Sequence, residues 1–428
     1  MEFPAGMNPP ARLIVDLAAL KENYRTICTL AEGGSSPRKV AAVVKADAYG
    51  LGLPAVAQAL FAAGCRSFFT AFSHEGIALR RILGIDAEIF ILIPTFGFRQ
   101  ADSVGGDSAS VPAASLAQAA AFDPSCEIEA MQKHRLIPCL FDITGIDRWI
   151  EGTKPARPPA ALHVETGINR LGLAPEEVER LLQEPSRRDR LDIVLSMSHL
   201  SCADDPADPA NDAQRRRFCA ILRRFPGIRT SLANSAGAFL GPEYHFDLLR
   251  PGIALYGYNP HGHRLRDPAC HDPSAIAMRP VASLRARLGQ VRELAAGERI
   301  GYGGKARCHG PRRVGVVLAG YADGIPRSLY GPKGAAEVSI AGHRAPLFGA
   351  VSMDMTTIDL TSVPESAARP GAQVELFGAD PSIAEVAQQA GTIPYEILTG
   401  IGPRVERIYI PSLDRSSGNL DSEKTADA

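Results

Sequence analysis

The sequence predicts an α/β protein in two domains: an N-terminal (β/α)8, TIM-like barrel and a C-terminal, mainly β domain. Its 428 residues exceed one ordinary core at roughly 100–200 residues per domain. From Val15 to about Tyr256, short apolar or β-branched runs alternate with helix-like stretches about eight times, which suits a closed barrel better than an open doubly wound sheet. Beyond a stretch from Asn259 to Pro273 that contains Pro, His and Gly, short strands punctuated by glycine replace that alternation. The expected boundaries are 1–265 for the barrel, 266–411 for the β domain and 412–428 for a polar, disordered tail with little to bury.

The barrel strands are expected at Val40–Val44, Ser67–Ala71, Ile89–Ile93, Ile137–Phe141, Ala160–Val164, Leu191–Met197 and Arg229–Leu232. After the first comes L-P-A-V-A-Q-A-L-F-A-A-G, whose apolar spacing fits a helix closed by a terminal glycine. Ala101 to Asp123, rich in Ala, Ser and Gly, reads as an extended loop. In the second domain V-G-V-V-L-A-G-Y and A-E-V-S-I-A-G-H read as strands. One late helix is expected in P-S-I-A-E-V-A-Q-Q-A-G, with Ser382 as N-cap and Glu385 completing a capping box.

Composition narrows the function classes. Hydrophobic residues at 45% and charged residues at 22% are ordinary for a packed chain and argue against broad disorder. Lys plus Arg number 46 against 47 Asp plus Glu, so a net charge of -1 gives no global field for nucleic acid or an anionic membrane. Small-molecule partners are therefore expected. No window reaches the ~18 apolar residues of a membrane span, and the first residues lack a basic segment followed by an apolar one. Eight cysteines without a C-x-x-C read as reduced thiols of a cytoplasmic protein, with no metal site.

Several short strings place reactive side chains at strand ends, where barrel enzymes carry their chemistry. Lys45 closes V-A-A-V-V and precedes A-D-A-Y-G-L-G. Desolvation in an apolar barrel mouth lowers a lysine pKa and favours Schiff-base chemistry; the same pattern also fits a lysine snorkelling to water. Tyr49 is either a rim aromatic or a hydroxyl donor to an anion. L-H-V-E-T-G-I-N-R-L-G presents His163, Glu165, Asn169 and Arg170, and S-M-S-H-L-S sets His199 just after a strand. L-A-N-S-A-G-A-F and L-L-R-P-G-I-A-L-Y-G supply Ser235, Arg250, Gly252 and Ile253, the small and backbone-donor groups of an anion site. In the β domain, Tyr302 stands between glycines, Tyr321 and Asp323 share another Gly-rich turn, and Met353 and Asp354 follow Gly349. Each string alone also has an ordinary structural reading.

In order, these strings resemble the alanine racemase family, from V-D-L-A-A-L-K-E-N-Y near residue 15 to Y-E-I-L-T-G-I-G-P-R-V near residue 405. The resemblance implies a barrel holding pyridoxal 5′-phosphate (PLP), a C-terminal β domain, and a homodimer whose sites the partner completes. It implies that Lys45 holds PLP covalently and that Tyr49, Ser235, Gly252 and Ile253 bind its phosphate. By the same resemblance His199 would pack on the ring, Arg250 would face the pyridine nitrogen, and Arg170 would lie near the phenolic oxygen and contact the substrate. Tyr302 matches the catalytic tyrosine that the other subunit delivers, and Tyr321 and Met353 match residues on its substrate side. The implied reaction interconverts L- and D-alanine, supplying D-alanine for peptidoglycan, with Lys45 and Tyr302 moving protons on opposite faces.

Two positions depart from the family. His163 stands where a lysine, often carbamylated, orients the arginine that matches Arg170; Glu165 is the candidate replacement. Pro403 stands where some members carry a second phosphate-contacting tyrosine. The competing expectations are a racemase of another small amino acid such as serine, a PLP-dependent decarboxylase and a PLP-binding protein. Arg250 weighs against the decarboxylase, in which an acid generally faces the pyridine nitrogen. Tyr302 and the β domain weigh against the PLP-binding protein.

Overall fold

The computed structural model describes residues 9–32, 39–97, 123–261, 276–331 and 334–410. The expected loop at Ala101–Asp123, apart from Asp123 itself, the barrel boundary at 265 and the tail at 412–428 lie outside them.

Among the described residues, eight parallel strands form the barrel. Strand one covers 39–43, and seven follow in sequence order at Ser67–Thr70, Glu88–Ile91, Ile137–Leu140, Pro159–His163, Asp192–Met197, Arg229–Ser231 and Leu248–Leu249. Backbone hydrogen bonds close the ring. Asp247 N donates to Thr230 O at 3.0 Å and Arg250 N to Ala233 O at 2.9 Å, while Ala41 N donates to Leu249 O at 2.8 Å. Strands such as Ile137–Leu140 are buried on both faces, so they read as continuous apolar runs instead of alternating ones. Phe69 and Phe90 stack inside with centroids 4.6 Å apart.

Around the strands, helices bury one stripe each. Leu17–Glu32 buries Ala19, Leu20, Asn23, Tyr24, Ile27 and Ala31, the spacing of a single helical face. Asp16 Oδ1 accepts from Ala18 N and Ala19 N at 2.8 and 2.9 Å and caps its start. The expected helix after strand one runs Leu53–Ala62, and Gly64 beyond it takes φ +104°.

The C-terminal domain is mainly β, built on the long strand Ala282–Leu294, which pairs antiparallel with Ala11–Asp16, Arg312–Val317 and Gln373–Phe377. Here the structure corrects the sequence boundary. Ala11–Asp16, expected within the barrel domain, is a strand of the C-terminal sheet and runs parallel to Glu406–Ile410 on its other side. Its alternating burial is that of a sheet with one face in the core. The late helix runs Ile383–Ala390, and Ser382 Oγ accepts from Glu385 N at 3.2 Å. The capping box is only half made, because the Glu385 carboxylate is taken by Arg344 at 2.8 Å.

Candidate active site

A cavity of about 520 Å³ opens at the C-terminal ends of the barrel strands. Lys45, Tyr49, His163, Arg170, His199, Ser235, Arg250 and Gly252 all line it, brought together from five strand ends far apart in sequence. Ile253 does not line it; its side chain is fully buried one residue beyond Gly252.

Lys45 stands two residues past the end of strand one and enters an unusual turn. Ala46, Asp47, Ala48 and Tyr49 have φ between +53° and +59°, in the left-handed region that side chains avoid at about 1–2 kcal/mol each. Such a turn persists only where its surroundings over-determine it. Glu75 Oε1 accepts from Ala46 N at 2.6 Å, and Asp47 Oδ1 accepts from Leu53 N at 2.7 Å. Burial and the nearby Arg170 guanidinium lower the Lys45 pKa, with Glu75 opposing.

Arg250 is fully buried, 3% exposed, and among the described residues no carboxylate pairs with it. Its guanidinium donates to Ser231 Oγ and to Ser198 O, the latter at 2.6 Å. Burial lowers its pKa to about 10, so it remains protonated near neutral pH. Arg250 Nη2 lies 3.5 Å from His199 Nδ1 and carries only donors, so that ring nitrogen is the acceptor of a neutral imidazole. Burial and Arg250 together hold His199 well below the usual range.

An anion cradle forms nearby. Ser235 Oγ accepts from Gly252 N at 2.8 Å and Ala254 N at 3.2 Å. The Tyr49 hydroxyl is seated on Gly252, where an added Cβ would meet it at 2.2 Å and displace the ring. Hydroxyls and backbone N–H groups converging this way suit a phosphate.

His163 is 6% exposed and neither of its ring nitrogens has a partner. Burial, reinforced by Arg250, lowers its pKa to about 4. Glu165 does not take up Arg170, since its carboxylate accepts from Gly167 N and, at 2.9 Å, Asn169 N. Among the described residues Arg170 has no ion pair or hydrogen bond, which leaves an exposed guanidinium at the cavity edge.

Sequence reasoning missed Tyr395 and Thr399, which line the cavity from the C-terminal helix Pro394–Thr399. The Tyr395 ring centroid is 6.1 Å from that of Tyr49. No local signal marks them, because only the docking of the β domain brings them there. Pro403 is exposed and does not line the cavity. Tyr302, Tyr321 and Met353 are also absent from it, standing 76%, 44% and 53% exposed on the β domain.

The comparisons with known proteins agree along nearly the whole chain. Residues 15–260 match the family model of the alanine racemase N-terminal domain and residues 281–409 that of its C-terminal domain. An alanine racemase of Brucella canis is 40% identical over 403 residues, covering 93% of each chain. One from Rhodospirillum rubrum is 41% identical over 401 residues, covering 93% of this chain and 96% of that one. The crystal structure of alanine racemase from Bartonella henselae with covalently bound pyridoxal phosphate superposes with TM-score 0.78 at 32% identity, covering 94% of this chain and all of that one (100%). The biosynthetic alanine racemase from Pseudomonas aeruginosa gives TM-score 0.76 at 31% identity, covering 95% of this chain and 100% of that one. With both domain models and near full-length relatives matched, the chain belongs to the alanine racemase family.

Proposed function

We propose that the protein interconverts L- and D-alanine with PLP bound in the barrel mouth, and that it works as a homodimer. The observation that carries this reading is the pairing, in one cavity, of the Lys45 amine with a buried Arg250 that has no carboxylate partner. The residues fit PLP. Lys45 supplies the amine for covalent attachment, the Ser235 and Tyr49 hydroxyls suit the phosphate beside Gly252, whose N–H is held by Ser235 Oγ, and Arg250 suits the pyridine nitrogen. The three cations Lys45, Arg170 and Arg250 exceed the available carboxylates, since Glu75 and Glu165 are engaged with backbone N–H groups.

Bound PLP supplies an electron sink for the charge left when the Cα proton departs. The protein orients that bond and moves protons. Burial and Arg170 lower the Lys45 pKa, which suits its amine to carry the proton on one face. Arg250, whose pKa of about 10 keeps it protonated near neutral pH, would donate a hydrogen bond to the pyridine nitrogen without transferring its proton. Inversion needs a second carrier on the other face, and Tyr302 of a second copy takes that role, with Tyr321 and Met353 bordering the substrate. The exposure of these three residues supports this reading, because a partner surface is where such residues wait. The product D-alanine serves peptidoglycan synthesis.

The test is chiral analysis of product after the purified protein, supplied with PLP, receives L-alanine or L-serine. D-alanine is expected from the unmodified protein and none from Lys45→Ala. Racemisation of L-serine alone would replace the substrate assignment, and undiminished activity in Tyr302→Phe would remove the second carrier.

A further inference from the structure

The left-handed turn from Ala46 to Tyr49 is held from outside its own domain. Arg407, on the C-terminal strand Glu406–Ile410, sends Nε and Nη2 to Gly50 O at 3.1 and 3.0 Å. Its remaining donors go to three carbonyls of the loop before that strand: Gly402 O and Val405 O at 2.7 Å each, and Ile401 O at 3.0 Å. All five bonds thus end on carbonyl oxygens, and one guanidinium ties the turn to the 401–405 loop. That loop is fixed on its far side, where Arg404 Nε donates to Asp323 at 2.7 Å.

The contact is close and specific. The Tyr409 hydroxyl, two residues on from Arg407, donates to Leu51 O at 3.1 Å. It also occupies the space of a Cβ on Gly52, at 1.9 Å, while a Cβ on Gly50 would meet Leu398 O at 2.6 Å. Gly50 and Gly52 also take φ of +80° and +99°, so the turn depends on glycine for both conformation and clearance.

We propose that Arg407 is a positioning residue which, acting through Gly50 and the left-handed turn, fixes the Lys45 amine and the Tyr49 hydroxyl in the cofactor cavity. The β domain of each chain thereby sets cofactor binding in the barrel of the same chain. This rests on the reading of Lys45 as the cofactor lysine. The physical reason is that the turn closes its own backbone bonds, such as Gly50 N to Ala46 O at 2.8 Å, only by holding four non-glycine residues left-handed, a cost its surroundings must offset. Charge-assisted bonds from a guanidinium are among the stronger ways to offset it. Without them the turn relaxes toward right-handed conformations, and Lys45, one residue before it, swings with it.

The test uses Arg407→Met, the milder Tyr409→Phe, and Arg12→Met as a control that breaks the Arg12–Glu406 ion pair on the same pair of strands. Two readouts separate positioning from bulk stability: the rate of PLP loss from the holoenzyme, and the titration of the Lys45 amine in the full chain after cofactor removal, followed by pH-dependent acylation and peptide mapping. Arg407→Met is expected to lose PLP about tenfold faster and Tyr409→Phe about threefold faster, as lost charged and neutral hydrogen bonds do. In both, Lys45 titrates nearer to a free lysine, and Arg12→Met moves neither readout. If Arg407→Met keeps the original PLP loss rate and Lys45 titration while melting at a lower temperature, Arg407 is merely structural and the proposal is overturned. Should Arg407→Met fail to fold, the same two readouts in Tyr409→Phe decide. Failure of the cofactor reading looks different, because PLP then does not couple to Lys45 in the unmodified protein. The Lys45 titration in Arg407→Met still upholds the positioning role if it moves and overturns it if it does not.

Discussion

His163 closes the fifth barrel strand with both ring nitrogens unpartnered, and its pKa falls to about 4. An imidazole in the unfolded chain titrates near 6.5, so between those values the unfolded state binds more protons and stability falls as pH drops from about 6.5 to about 4. The full loss from His163 is on the order of 3 kcal/mol. Urea titrations of the cofactor-free chain at pH 7 and pH 4.5 are expected to show this fall, and His163→Leu to reduce it, with His199 supplying the same direction of change. An unaltered slope in His163→Leu would contradict the buried neutral imidazole. At this scale the sequence was informative where a residue ends a strand, as Lys45 and His199 do. It was silent where a partner decides the role: Glu165 faces Arg170 on paper, yet its carboxylate caps its own loop.

The turn after Lys45 was the least legible element. A-D-A-Y-G offers one glycine, while four consecutive residues before it adopt left-handed φ. That conformation comes from Glu75, Asp47 and the C-terminal domain, none of them visible in local propensity. Ala46 is exposed, so Ala46→Gly relieves strain without losing packing and is expected to stabilise the fold by about 1 kcal/mol in urea titration. By contrast the Ser382 cap was plain from sequence, since a serine before an apolar periodic run has a local physical role. Ser382→Ala is expected to cost about 1 kcal/mol by the same measurement. The strand Ala11–Asp16 misled because its partners lie more than 250 residues away, and an alternating six-residue run does not reveal which sheet it joins.

For the whole molecule, alternation of strand and helix made the barrel legible, and glycine-punctuated strands made the β domain legible. What sequence pattern alone did not convey was how the two share a cavity, through Tyr395, Thr399 and the Arg407 brace. A single chain builds the cofactor side of that cavity and leaves Tyr302, Tyr321, Met353 and Met355 exposed on the β domain. A twofold dimer that uses one such surface on each copy would complete two sites at once. The most direct measurement is complementation between two inactive variants, Lys45→Ala and Tyr302→Phe, mixed under conditions where subunit exchange is verified by native mass spectrometry. Heterodimers then hold one site with both Lys45 and Tyr302 intact, and recovery of alanine racemisation toward about a quarter of the unmodified activity is expected from statistical pairing with shared sites. Verified exchange without any recovery would contradict a site completed by the partner subunit.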